Sequence, residues 1–220
     1  MNSYPEEINE VHPDFFEMLV LNGFIIEDNI DEFKLVENKL KNVINRKDVY
    51  RLIINPTMNC NFKCWYCYET HIKDSKMDKN NIDKITKFIS NILDDEIKLL
   101  QISFFGGEPL LYYSKVVKPI LEYANAISTE KNIFINSDFT TNGFLIDENM
   151  IESFKKLNVK NLQITLDGHK ELHDNVRYIS KKRGSYDKNL DNIFLLANAP
   201  PLSYYHTKVE FFVDKLLLSL

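Results

Sequence analysis

"CNFKCWYCYE", Cys60 to Glu69, holds all three cysteines of a 220-residue chain. Their spacing is C-x3-C-x2-C, with thiols at Cys60, Cys64 and Cys67. An odd, clustered set of this kind reads as a metal site or a reactive thiol, not as a disulfide framework. A cubane iron–sulfur cluster is usually held by four thiolates. Three on one tight loop would hold three irons and leave the fourth open, where a substrate or cofactor can chelate. A ferredoxin that only carries electrons would close that position with a fourth cysteine. Two other readings stand beside this one. His71, four residues after Cys67, completes a Cys3His zinc set, and three buried free thiols are the plainest reading of all.

Outward from the loop, the chain alternates strand and helix. "YRLIINPT" before it is a short apolar run ended by proline, a strand feeding a loop. "NNIDKITKFISNIL" puts Ile82, Ile85, Ile89 and Ile92 at helical spacing. "LLQISFFGGEP" is a strand broken by Gly-Gly. "SKVVKPILEYANAI" is helical, with Pro119 bending it or sitting near its start. "NIFINSDFTTNG" and "KNLQITLDG" are strands running into turns. "DENMIESFKKLN", capped by Asp147, and "YDKNLDNIFLLANA" are helices, and "TKVEFFVD" is a fifth strand. This alternation implies parallel strands with crossover helices. The apolar strands suggest a sheet covered by helices on one face and filled on the other. In such sheets chemistry sits on loops that leave the C-terminal strand ends. The loops "TMNCNFKCWYC", "GGEP", "TTNG" and "LDGHKELHDNVR" all leave such ends, so they converge on one mouth.

Residues 1–50 form an attachment. "PDFFEMLVLNG" suggests a short helix ended by Gly23, and Ile30, Phe33, Val36, Leu40 and Val43 mark a second. With no Gly- or Pro-rich linker after it, this extension is expected to pack on the core, residues 51–220. Apolar residues make up 44% and charged residues 27%, enough to fill a core and stay in solution. A net charge of −5 argues against a duplex-binding surface. No apolar run approaches the roughly 18 residues of a membrane span, and the acidic N-terminus lacks a signal-peptide layout. The expectation is a cytoplasmic protein with no nucleic-acid or membrane partner.

"CNFKCWYC" resembles the signature loop of radical S-adenosylmethionine (SAM) enzymes, C-x3-C-x-aromatic-C. The resemblance continues in order through "GGEP", "TNG" and "QITLDG…HDNVR", over roughly residues 51–200, and is similar to the peptide-modifying branch with a SPASM domain. That branch includes anaerobic sulfatase maturases and maturases of ribosomal peptides. The resemblance implies a partial (β/α) barrel carrying a 4Fe–4S cluster. Its open iron chelates SAM, which is cleaved to a 5′-deoxyadenosyl radical that abstracts hydrogen from a peptide or protein. It also implies an electron donor such as flavodoxin or ferredoxin.

Residue by residue, the resemblance makes Cys60, Cys64 and Cys67 the cluster ligands and Tyr66 the aromatic near the adenine. Gly106 and Gly107 match the turn that meets the methionyl amino group, with Glu108 an added acceptor for it. Asn142 would face the nucleoside. Thr165 and Arg177 match a hydroxyl and a guanidinium that bind the SAM ribose and carboxylate, a task suited to a fixed planar cation. Asp167 and His173 could be polar contacts to substrate, though a lone loop histidine is more often structural. The chain departs from the family after the fifth strand. A sixth unit, the auxiliary-cluster cysteines and the residue that accepts a proton from substrate are not in this sequence, so the barrel is expected to be incomplete. "VEFFVDKLLLSL" reads as a fragment's end, and a non-catalytic cluster- or zinc-binding module is the reading from a different class. The extension before the first strand favours a peptide maturase over a sulfatase maturase.

Overall fold

The computed structural model describes residues 5–199, 206–213 and 216–219, the last two segments as backbone. The chain divides into two compact units, Met1–Arg46 and Lys47–Leu220. The first unit is helical: α1 (Pro5–Val11), α2 (Pro13–Leu21) and α3 (Glu32–Ile44). Gly23, with φ +74°, turns the chain after α2. The Asp31 side chain caps α3 by accepting the Lys34 N–H at 3.1 Å.

The second unit is a sheet in the order β1-β2-β3-β4-β5-β6. Strands β1 (Val49–Ile54), β2 (Leu99–Phe104), β3 (Phe134–Thr141), β4 (Val159–Leu166) and β5 (His206–Val213) run parallel. The crossover helices are α4 (Lys79–Ile92), α5 (Lys118–Glu130), α6 (Glu148–Lys156) and, between β4 and β5, α7 (Lys170–Val176) and α8 (Tyr186–Asn198). Asp78 and Asp147 each cap a helix by accepting a backbone N–H at 2.8 Å. Pro119 falls in the first turn of α5, directly after a π-helical turn at Tyr113–Val117.

Two elements depart from the sequence reading. The strand β6 (Leu216–Ser219) returns antiparallel to β5, where the sequence suggested only an apolar ending. The stretch after β4, read as an open loop, contains α7, a helix of seven residues. Seven residues are too few for a 3.6-residue period to show.

Side chains alternate across the strands. On one face Leu100, Ile102, Phe104, Phe139, Leu162 and Ile164 are buried against Ile89 of α4, Ile120 and Leu121 of α5 and Phe154 of α6. The Phe104 and Phe139 rings stack there at 4.9 Å. The other face differs from the expectation of a filled interior. It carries Gln101, Ser103, Asn136, Asp138, Thr140, Asn161, Gln163 and Thr165, all half-buried. Polar and apolar positions alternate in β2 and β4, whose buried apolar half had made them look uniformly apolar; in β3 the buried face holds Ser137 and Thr141 beside Phe139.

Candidate functional site

The cysteine loop begins where β1 ends. Phe62 is buried and packs edge-to-face on Phe144 at 5.7 Å, pinning the loop from below. Its backbone is stitched at both ends: Lys63 N–H donates to Tyr178 O at 2.9 Å, and Ile72 N–H to Met58 O at 3.0 Å. Cys60 Sγ accepts the Phe62 N–H at 3.4 Å. Burial pushes the Cys60 thiol up to about 12, against the opposing pull of that N–H. Burial also raises Cys64, with the nearby Arg177 charge acting the other way. A metal must therefore displace protons to bind here. His71 Nε2 lies 3.5 Å from Cys67 Sγ. Among the described residues no three His, Cys, Asp or Glu groups converge on a single ion position. A cluster, which takes each thiolate on a separate iron, does not require that convergence.

The Gly-Gly turn after β2 lies directly on the cysteine loop. Gly107 N–H donates to Thr57 O at 3.0 Å and Glu108 N–H to Asn59 O at 2.8 Å. Gly106 has φ +105°, and a Cβ there would come within 2.7 Å of the Thr57 carbonyl oxygen. A Cβ on Gly107 would overlap the Asn59 carbonyl group. The missing side chains are thus required by a backbone-on-backbone contact between two loops.

Glu108 is buried and accepts three hydrogen bonds. One carboxylate oxygen accepts from Leu110 N–H (3.0 Å) and the Thr141 hydroxyl (2.7 Å); the other accepts from Asn142 N–H (2.8 Å). Burial raises its pKa, and these donors resist the shift. The carboxylate joins the loop after β2 to the end of β3. Asn142 Nδ2 donates to Asn61 Oδ1 at 2.8 Å and lies 4.0 Å from Cys60 Sγ.

Arg177 caps the C-terminus of α7 and is buried. Its Nη1 donates to the Tyr66 hydroxyl at 2.6 Å, and that hydroxyl donates to Asp167 Oδ2 at 2.5 Å. Its Nε is buried without a hydrogen-bond partner among the described residues. An unpaired buried guanidinium donor costs free energy unless something accepts from it. Behind Arg177, His173 is fully buried. It accepts the Asp167 N–H on Nδ1 at 3.2 Å and meets Ser185 Oγ at 2.9 Å, while Ser185 donates to the Arg177 carbonyl at 2.6 Å.

One cleft is lined by Cys60, Cys64, Tyr66, Cys67, Gly106, Gly107, Glu108, Asn142, Thr165 and Arg177. Ten residues spread over 118 positions of sequence thus share one mouth at the C-terminal ends of β1 to β4. Asp167 and His173 do not line it. They stand behind it and hold Tyr66 and the turn after β4. Sequence reasoning missed Phe62 and Ser185, which carry no signal beyond one apolar and one small polar residue in loops. Three soft sulfurs and a guanidinium with an unpaired donor in one cleft form a set suited to an iron–sulfur cluster with an anionic ligand.

The model of the radical SAM superfamily matches residues 54–204, and the chain belongs to that superfamily. Membership makes S-adenosylmethionine and a 4Fe–4S cluster its cofactors. The radical SAM cyclopropyl synthase TigE of Paramaledivibacter caminithermalis is 32% identical over 171 residues, 70% of this chain and 34% of TigE. A cysteine-type anaerobic sulfatase-maturating enzyme of Clostridium novyi is 29% identical over 154 residues, 68% of this chain and 41% of the enzyme. The chain thus spans between 34% and 41% of the length of these two relatives. The solved structure of anSMEcpe with bound AdoMet and the Kp18Cys peptide shares the fold, with a TM-score of 0.61 at 22% identity over 73% of this chain and 42% of that one.

Proposed function

We propose that the chain holds a 4Fe–4S cluster on Cys60, Cys64 and Cys67 and SAM beside it, and modifies a peptide or protein by hydrogen-atom abstraction. The observation that carries this reading is the single cleft in which the three thiols meet Gly106, Gly107, Thr165 and Arg177. When bound, the two cofactors supply an electron and a 5′-deoxyadenosyl radical. The chain's own residues place and enclose them. Arg177 offers its unpartnered Nε to the methionyl carboxylate, and Thr165 a hydroxyl to the ribose. The Gly106–Gly107 backbone receives the methionyl amine. Glu108, held by three donors, lines the cleft beside that turn and keeps one acceptor position on its second oxygen for the same amine. Tyr66 sits beside the adenine position and orients Arg177.

A peptide substrate is supported by the peptide bound in the anSMEcpe structure. The resemblance to a sulfatase-maturating enzyme supports a second reading, in which the substrate is a sulfatase segment. The electron comes from a small redox protein such as flavodoxin or ferredoxin, and the compartment is the reducing cytoplasm. No described helix is long and apolar enough to cross a membrane. Residues 1–46 act as an extension to the cofactor-binding core.

The test is anaerobic reconstitution with iron and sulfide. Brown charge-transfer absorption with about four irons per chain is expected, lost in Cys60→Ala, Cys64→Ala or Cys67→Ala. Tight colourless zinc uptake without iron would favour the non-catalytic module. Turnover of a precursor peptide rather than a sulfatase peptide separates the two substrate readings.

A further inference from the structure

The open face of the sheet carries a polar ladder that the cofactor site does not use. Arg51 on β1 donates from Nε to Gln101 Oε1 at 3.2 Å. Gln101 passes its amide N–H to Asp138 Oδ2 on β3 at 3.1 Å, and Ser103 adds its hydroxyl to the same oxygen at 2.9 Å. Both donors land on Oδ2. Among the described residues Asp138 Oδ1 has no hydrogen-bond partner, and no cation lies within ion-pair distance of the carboxylate. Arg51 ends the ladder on Gln101, not on the acid. Two residues back on the same strand, Asn136 Oδ1 is buried and also lacks a partner.

Position gives the ladder its meaning. Residues i and i+2 of a strand share a face and stand about 6.6 Å apart. Thr140 lines the cofactor cleft, so Asp138 lies one rung deeper on the same face and Asn136 one rung deeper again. Among the described residues nothing gives Asp138 a counter-charge, and a partly desolvated carboxylate held in one orientation gains from a cation brought to its free oxygen. One buried acceptor without a partner and one free carboxylate oxygen, in line on the same face, suit a group rich in N–H donors.

We propose that Asp138, oriented by Gln101 and Ser103, is a specificity-determining residue that binds a cationic N–H group of the substrate, one rung below the cofactor. This rests on the peptide-modifying reading above and names what its substrate must carry. The cation could be a lysine ammonium, an arginine guanidinium or a free amino terminus.

The full chain, reconstituted with iron and sulfide, is titrated with four glycine-rich pentapeptides. Three are acetylated and amidated, with lysine, arginine or norleucine at the centre. The fourth has central norleucine and a free amino terminus. Methyl chemical shifts report affinity, and iron content and SAM affinity are measured in parallel. At least one cationic peptide should bind about tenfold or more tighter than the blocked norleucine peptide, and which one does identifies the source. Asp138→Asn, isosteric but uncharged, should reduce that preference to under twofold. Ser103→Ala, which keeps the charge and removes one orienting donor, should give an intermediate value. Iron content and SAM affinity should stay at wild-type levels in both. Equal binding by all four peptides, no binding at millimolar concentration, or a preference that survives in Asp138→Asn overturns the proposal. A loss of SAM affinity in Asp138→Asn also overturns it, by assigning the acid to the cofactor. If the wild type takes up neither iron nor SAM, the underlying reading fails visibly, and the peptide preference is still scored.

Discussion

Arg177 Nη1 meets the Tyr66 hydroxyl at 2.6 Å, joining the cysteine loop to the end of α7 across 111 positions of sequence. The same hydroxyl donates to Asp167, so one phenol ties the loops after β1 and β4. Tyr66→Phe keeps the ring and removes this tie, leaving a buried guanidinium donor and a buried carboxylate oxygen without it. Hydrogen bonds to charged groups contribute about 1.5–3 kcal/mol each, and the variant should lose stability in that range by urea denaturation. An unchanged midpoint would mean that water replaces the phenol at no cost.

Arg177→Ala should weaken SAM binding by roughly ten- to a hundred-fold, the value of a charge-assisted hydrogen bond. Iron content should not change. Arg177→Lys should recover only part, because an ammonium lacks the planar fork that reaches both Tyr66 and a carboxylate. Calorimetry on reconstituted chains measures this, and equal affinities would move the carboxylate partner elsewhere.

His173 gives a pH signature. Burial, reinforced by the Arg177 charge, lowers its pKa from 6.5 to about 4. The ring is therefore neutral in the folded chain, as its acceptor role toward Asp167 N–H demands. The unfolded chain takes up a proton first as pH falls. The stabilisation is fully present above pH 6.5, declines below it and is gone by about pH 4, a change of about 3 kcal/mol at most. Urea denaturation of the metal-free chain across this window should show a shallower decline in His173→Gln than in wild type. Parallel slopes would refute the assignment.

Gly107→Ala puts a methyl group into the Asn59 carbonyl, and neither loop backbone can yield without breaking the Glu108 N–H bond to Asn59. The expected result is a chain with near-native far-ultraviolet circular dichroism that takes up less than half the wild-type iron. Gly23→Ala, strained by its φ of +74° but in the helical unit with open space around its Cβ position, is the control for backbone strain alone and should load normally.

The parts of this site with chemistry in their side chains were legible in the sequence, since cysteines, paired glycines and a loop arginine stand out against apolar strands. The parallel alternation was legible because α4, α5 and α6 are long enough to show a period. What escaped has physical causes. The helix α7 is too short for periodicity, and β6 pairs through its backbone, which any apolar residue can do. The polar face of β2, β3 and β4 was hidden because Gln101, Asp138 and Gln163 read singly as exceptions within apolar runs, and only the register lines them up. The Glu108 carboxylate stood out as a ligand group, and it lines the cleft. Its bonds to Thr141 and Asn142 were not legible, because they depend on contacts 33 and 34 positions away.

The Glu108 tie implies an order of assembly. The cysteine loop is held by the Gly-Gly turn, and the turn by Glu108, whose partners Thr141 and Asn142 emerge from the ribosome some eighty residues after Cys60. Before β3 docks, the loop keeps only local bonds such as Ile72 N–H to Met58 O, and the Gly-Gly turn lacks its carboxylate anchor. Iron loading on the proposed ligands is therefore expected to require a chain folded through Asn142, and chains ended before that point should take up iron poorly.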